Sequence, residues 1–194
     1  MKNKTIIIAE AGVNHNGDLN LAKKLILKAS KIGADYIKFQ TFSADKLATK
    51  FAKNPKYSLS KKKEFQYDML KKLEIKNKDT VKLKKICKLN KIGFLSSAFD
   101  IESLKFLQQL KLDYYKVPSG EINNVPFLRF LGKMKKKVIL STGMSNLKEI
   151  SFALNILRKS GLSKEKIFLL QCNTDYPSPL ADANLKVLGL FKKK

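Results

Sequence analysis

The sequence predicts an α/β protein whose strands form a parallel sheet. Two observations lead to this class. Six short hydrophobic runs, typical of buried strands, alternate with stretches whose apolar residues recur at helical spacing. Apart from one insertion, the β-α units recur roughly every 25–30 residues, as in a βα barrel or a doubly wound sheet.

The first helix is expected to stop at Gly33, and Asp79 or Thr80 is expected near the N-cap of the helix that follows the polar insertion 43–77. The predicted strands lie at residues 5–10, 34–42, 94–99, 112–119, 136–142 and 166–174. The predicted helices lie at residues 20–33, 64–73, 79–93, 100–110, 124–132 and 146–161, and another is expected over 182–190.

Polar residues at the strand ends favour a barrel over an open sheet. They are Glu10, Lys38 with Gln40, Ser96 with Ser97, Lys116 with Ser119, Ser141 with Thr142, and Asn173 with Thr174. In a (β/α)8 barrel all such ends converge on one mouth, whereas in an open sheet only those near a switch point meet. No G-x-G-x-x-G follows the first strand and no Walker sequence occurs, which argues against nucleotide-binding folds.

The amino-acid composition restricts the kinds of partner that the chain is expected to bind. The formal net charge is +24, but the positive charge is nearly all lysine, with arginine only at 129 and 158. Nucleic-acid surfaces usually use arginine forks as well, so we expect solvated surface lysine and no nucleic-acid partner.

No apolar run approaches the ~20 residues of a membrane span, and no signal peptide is recognisable. Cys87 and Cys172 lack metal or redox spacing, so we expect a cytoplasmic protein with free thiols.

Lys38 and Lys116 end the second and fourth predicted strands. Either could form a structural salt bridge, with Glu10 or Glu121 as partner. Two such lysines among serines and threonines instead suggest a site for an oxyanion such as phosphate or carboxylate. Gly120 and Gly143 mark turns where the backbone can approach a ligand closely.

Two polar loops carry the remaining candidates. AEAGVNHNGD, residues 9–18, contains the chain's one histidine, His15, which alone cannot form a multi-histidine metal site. QCNTDYPSP, residues 171–179, is either an ordinary proline-rich loop or the lining of a sugar pocket.

Six motifs together resemble the sialic acid synthase family, whose members make N-acetylneuraminate and related acids such as legionaminate. They run in order along the chain: IIAEAGVNHNGD, GADYIKFQTF, FLSSAFD, YYKVPSGEINNVP, VILSTGM and LLQCNTDYPSP. The resemblance implies a TIM barrel that condenses phosphoenolpyruvate with an N-acetylated hexose (an N-acetyl hexosamine) to a nine-carbon 2-keto sugar acid. It also implies a homodimer and a divalent cation, manganese or magnesium, that polarises the sugar aldehyde.

The resemblance assigns roles to residues. Lys38 and Lys116 would hold the carboxylate and phosphate of phosphoenolpyruvate. Glu10 would face the reacting centre and position water or a sugar hydroxyl. The remaining assignments are hydrogen bonds from Ser97, Ser119, Ser141, Asn173 and Thr174, and sugar contacts from Gln40 and Tyr176.

The sequence also departs from the family. Ser97 stands at a usual threonine and keeps the hydroxyl, and Gln171 stands where histidine is common. The motifs like SDH and EKHF that carry the family's two metal-binding histidines do not occur, so no metal ligand is assigned. We also expect the family's C-terminal antifreeze-like domain to be absent. We therefore expect residues 1–194 to be the N-terminal part of the barrel, with about six of eight β-α units.

Two alternative functions stay open. One is a truncated, inactive remnant of such a synthase that at most binds phosphate-bearing ligands. The other is a basic nucleic-acid-binding module. The hexosamine is also left open, since AEAGVNHNGD and CNTDYP suit neuraminate and legionaminate synthases equally.

Overall fold

The structure is a computed structural model that describes residues 5–53 and 65–192. It divides into two compact units, Met1–Leu112 and Asp113–Lys194. Each unit contains parallel strands joined by helices, as the sequence predicts.

The first unit contains three parallel strands in the order β1-β2-β3. Its elements are β1 (Ile8–Gly12), α1 (Leu19–Lys31), β2 (Tyr36–Thr41), α2 (Ala44–Leu47), α3 (Gln66–Leu73), α4 (Asn77–Leu89), β3 (Gly93–Ala98) and α5 (Ile101–Gln109). The helix α1 begins where the Asp18 carboxylate accepts the Asn20 N–H, and it buries Ala22, Ile26 and Ala29 on one face.

The second unit contains three parallel strands in the order β4-β5-β6. Its elements are β4 (Tyr114–Val117), α6 (Val125–Met134), β5 (Lys137–Ser141), α7 (Leu147–Lys159), β6 (Ile167–Leu170) and α8 (Val187–Phe191). A reciprocal cap starts α7: Asn146 accepts the Glu149 N–H while the Glu149 carboxylate accepts the Asn146 N–H.

Several predicted boundaries were wrong. The first strand starts at Ile8 rather than residue 5, and Ile6 and Ile7 are exposed. The N-cap of α4 is Lys76, and Asp79 lies near it as expected, within the first turn, where its negative charge suits the helix dipole. The helix itself begins at Asn77 rather than at residue 79. The last predicted strand, 166–174, stops at Leu170, and the last helix begins at Val187 instead of 182.

The insertion 43–77 contains two helices, and residues 54–64 lie outside the described part of the chain. In α3, Leu70 is buried in a cluster with Phe42 and Ala44. Among the described residues, no helix is long and apolar enough to cross a bilayer.

Candidate anion-binding site

Lys116 lies in β4, all four residues of which are buried. Its ammonium donates hydrogen bonds to the Val117 carbonyl at 2.9 Å and to the Ser141 hydroxyl at 2.5 Å. The residue is 9% exposed and Ser141 is 4% exposed. A buried ammonium beside a serine hydroxyl is a favourable place for an anion, because both groups can donate hydrogen bonds to its oxygens.

The strand register explains why Lys116 and Ser141 meet. Lys116 is aligned with Ile139, two residues before Ser141 on the neighbouring strand. Side chains alternate between the faces of a sheet, so Lys116, Ile139 and Ser141 share one face. Phe168 and Leu170 of β6 share that face by the same register and are partly exposed.

Ser141 is oriented by two donors. Its oxygen accepts a hydrogen bond from Lys116, and the Cys172 thiol donates to it at 3.3 Å. A serine hydroxyl has two acceptor lone pairs and one proton to donate. With both lone pairs engaged, the proton of Ser141 points away from these donors, where a ligand oxygen can accept it.

Ser119 and Thr174 meet around Gly143. Ser119 follows β4 in a short 3-10 turn, and its hydroxyl oxygen accepts the Gly143 N–H at 3.1 Å. Thr174 also lies close to Gly143, since a side-chain carbon added at Gly143 would be 2.8 Å from both the Thr174 methyl and the Ser119 oxygen. The structure therefore brings together the predicted residues Ser119 and Thr174, and separately Lys116 with Ser141.

In the first unit, Lys38 pairs with Glu10. The ammonium and carboxylate are 2.5 Å apart, and the side chains are 13% and 52% exposed, respectively. Their pairing follows from the register of β1 and β2, in which the two residues are directly aligned. The salt bridge considered as the alternative for Lys38 is thus present, with the carboxylate the more exposed partner.

Gln40 and Ser97 lie on the same face as this ion pair. Gln40 is two residues after Lys38, and the register aligns it with Ser97. Ser97 is buried, and Gln40 is half-buried. On the opposite face, Thr41 and Ser96 share a hydrogen bond of 2.7 Å and are both buried.

His15 is a buried residue of the loop after β1. Its Nδ1 accepts the Gly17 N–H at 3.0 Å, so the ring proton of the neutral form is on Nε2. The ring contacts Phe39, whose position in β2 lies on the face opposite Lys38. Burial lowers the pKa of His15, and Nε2 has no hydrogen-bond partner among the described residues.

The candidate sugar-binding residues of the second unit are more exposed to solvent than Lys116 and Ser141. Asn173 lines a cavity of about 770 Å³, and its amide donates to the Asp182 carbonyl. Gln171 lines the same cavity and donates to the Ala183 carbonyl. Tyr176 is 67% exposed and does not line this cavity.

Across residues 5–53 and 65–192, no three His, Cys, Asp or Glu side chains come together as a metal ion would require. The described residues therefore do not fit a divalent cation, and we assign no chemical step to one.

Sequence reasoning missed two features of the second unit. It treated Gly120 and Gly143 alike, yet Gly143 is enclosed by side chains and nothing lies within 4 Å of a carbon added at Gly120. It also left Cys172 without a role, although the thiol contacts Ser141. The proximity of LLQC to STGM on adjacent strands could have indicated the second contact.

The chain matches the model of the NeuB family over residues 25–194. Over 191 residues it is 50% identical to the N,N'-diacetyllegionaminic acid synthase of Campylobacter jejuni, covering 97% of this chain and 57% of that protein. It is 43% identical over 187 residues to the protein of the same name from Legionella pneumophila, covering 94% of this chain and 52% of that protein. The chain thus spans about half the length of the curated relatives that it matches.

A solved structure has the same fold. The crystal structure of an N-acetylneuraminic acid (sialic acid) synthetase from Leptospira borgpetersenii, in complex with citrate, aligns with a TM-score of 0.84 and 31% identity. The alignment covers 98% of this chain and 62% of that chain. It confirms the predicted fold class, an α/β chain of the incomplete TIM-barrel type, with six parallel strands in the part of the chain that the structure describes.

Proposed function

This chain belongs to the NeuB family, and from that premise we propose that it binds phosphoenolpyruvate for condensation with an N-acetylated hexose. The product is a nine-carbon 2-keto sugar acid. The observation that carries the proposal is the buried Lys116 ammonium, bonded to a Ser141 hydroxyl whose own proton is available.

The Lys116 cluster suits one anionic group of phosphoenolpyruvate. A carboxylate or phosphate oxygen there would accept hydrogen bonds from the Lys116 ammonium and the Ser141 hydroxyl. Such charge-assisted bonds are the strong ones, and burial reduces their screening by salt. Ser119 and Thr174 add hydroxyls beside Gly143.

Lys38 has a partner that a ligand would have to replace or share. In its ion pair with Glu10, the lysine is the less exposed side chain. A phosphoenolpyruvate oxygen bound to Lys38 would compete with the Glu10 carboxylate for the same ammonium protons. Once displaced, that carboxylate is an acceptor for a water molecule or a sugar hydroxyl, the role that the family resemblance assigns to Glu10.

Catalysis of this reaction depends more on how phosphoenolpyruvate is oriented toward the sugar aldehyde than on proton transfer from a strong acid. Carbon 3 of phosphoenolpyruvate attacks the open-chain aldehyde, water adds at carbon 2, and phosphate leaves by cleavage of the C–O bond. An anionic group held by the Lys116 ammonium and the Ser141 hydroxyl would restrict the orientation of phosphoenolpyruvate, and such orientation supplies a large part of catalytic power.

For the acceptor sugar, we propose the precursor of a legionaminic-type acid. Support comes from the two bacterial relatives named N,N'-diacetyllegionaminic acid synthase, which are more similar to this chain than the sialic acid synthetase is. Gln40 and Tyr176 remain the proposed sugar contacts.

A phosphate-release assay on the purified chain, with phosphoenolpyruvate and a panel of mono- and diacetylated hexoses, tests the reaction. Release that requires both substrates, and is fastest with a diacetylated sugar, supports the proposal. Release from phosphoenolpyruvate alone would indicate a phosphatase and contradict it. Titration calorimetry with phosphoenolpyruvate tests the binding step separately, and no heat of binding would refute that step.

A further inference from the structure

We infer that Gly143 is a positioning residue of this site: the absence of its side chain lets the Ser119 and Thr174 side chains share the space that a Cβ would occupy. The inference rests on the proposed function, since the geometry that it sets is that of phosphoenolpyruvate binding. Gly143 itself need not touch the ligand.

The space around Gly143 is already filled. A carbon added there would lie 2.8 Å from the Ser119 oxygen and 2.8 Å from the Thr174 methyl, whereas ordinary contact begins at 3.4 Å. Both neighbours would have to retreat, and they come from different loops, one after β4 and one after β6. Gly143 itself follows β5, so three consecutive strand-end loops meet at this one residue.

Backbone conformation does not explain why residue 143 is a glycine. Gly143 does not have the positive φ angle that favours glycine, unlike Gly12, Gly17, Gly33 and Gly161. Its requirement is steric, and alanine could adopt its backbone angles. The effect of a substitution would therefore be transmitted through Ser119 and Thr174.

The backbone N–H of Gly143 adds a second constraint. It donates to the Ser119 oxygen at 3.1 Å, which orients the hydroxyl proton of Ser119 away from Gly143. Moving the Ser119 oxygen from 2.8 Å to the 3.4 Å of ordinary contact with a new carbon lengthens this bond and turns the hydroxyl. Small displacements of anchoring groups are costly when a ligand needs several of them at once.

Gly189 provides a matched control in the same unit, within α8 and outside the proposed site. Nothing lies within 4 Å of a carbon added there, and its φ is also outside the positive region. Gly143→Ala and Gly189→Ala make the same chemical change. We expect Gly143→Ala to weaken phosphoenolpyruvate binding by about tenfold or more, and Gly189→Ala to change it by less than about twofold.

A rescue variant separates positioning from general damage. Thr174→Ser removes the methyl that a new carbon at 143 would strike and keeps the hydroxyl. In a double-mutant cycle read by calorimetry, Thr174→Ser should recover part of the affinity lost in Gly143→Ala. Strictly additive losses overturn the inference, as does wild-type affinity in Gly143→Ala.

Two further readouts complete the test. If Gly143→Ala does not fold, Ser119→Ala should still make the Gly143 amide exchange faster with solvent deuterium, because its acceptor is gone; unchanged exchange overturns the inference. Failure of the wild-type chain to bind phosphoenolpyruvate refutes the proposed function and this inference with it. Wild-type binding with an unaffected Gly143→Ala variant refutes this inference alone.

Discussion

Replacing Lys116 by methionine tests the anion site with little change of side-chain volume. The variant loses a buried ammonium that bonds Ser141 and the Val117 carbonyl. A hydrogen bond to a charged group contributes about 1.5–3 kcal/mol. Since each 1.4 kcal/mol is tenfold in affinity, we expect phosphoenolpyruvate to bind roughly 10–150-fold more weakly.

The control must separate this loss of affinity from the general electrostatic attraction between anionic phosphoenolpyruvate and a chain with net charge +24. Lys133→Met removes the same charge from an exposed position near the end of α6. Calorimetry at low ionic strength and again at about 0.3 M salt distinguishes the two contributions, because salt screens exposed charges far more than buried ones.

We expect Lys133→Met to bind within about twofold of wild type, and the Lys116→Met deficit to persist at high salt. Equal losses in the two variants, or a Lys116→Met deficit that disappears in salt, would show that phosphoenolpyruvate responds only to net charge. Both variants should first be checked for folding, because removing a buried donor also costs about 1–3 kcal/mol of stability.

Three other changes have expected outcomes. Burial lowers the pKa of His15 below 6.5, so the unfolded chain binds this proton at a higher pH than the folded chain does. The free energy of unfolding should therefore fall as the pH drops below 6.5. In urea titrations, His15→Asn should make the free energy of unfolding depend less on pH over this range. Burial raises the pKa of the Cys87 thiol to about 12, so iodoacetamide should label Cys172 alone in the native chain and both cysteines in denaturant; native labelling of Cys87 would contradict its burial. Glu10→Gln frees the ammonium of Lys38 and should tighten phosphoenolpyruvate binding, unless Lys38 is also replaced; an unchanged affinity would exclude Lys38 as a ligand.

The period of the hydrophobic pattern was enough to predict all six described strands and every described helix except α2, because most of these helices bury one stripe and each strand is a short apolar run. Element ends were predicted less well. Lys76 caps α4 with no side-chain hydrogen bond, so nothing in the local sequence marks that start. Ile6 and Ile7 have strand composition but are exposed before β1 begins.

The candidate site was predictable in its residue types and less so in its contacts. A lysine at a strand end suggests an anion, but only the register decides whether a carboxylate is aligned with it. Lys38 is aligned with Glu10, and Lys116 shares a face with Ser141. The difference between Gly120 and Gly143 depends on side chains more than twenty residues away in sequence, which no local pattern reveals.

The most direct measurement is a crystal structure of this chain with phosphoenolpyruvate bound. The account predicts a carboxylate or phosphate oxygen within about 2.7–3.2 Å of both the Lys116 ammonium and the Ser141 hydroxyl. Phosphoenolpyruvate bound elsewhere, with the Lys116 ammonium still bonded to Val117 and Ser141 and to no ligand atom, would contradict it.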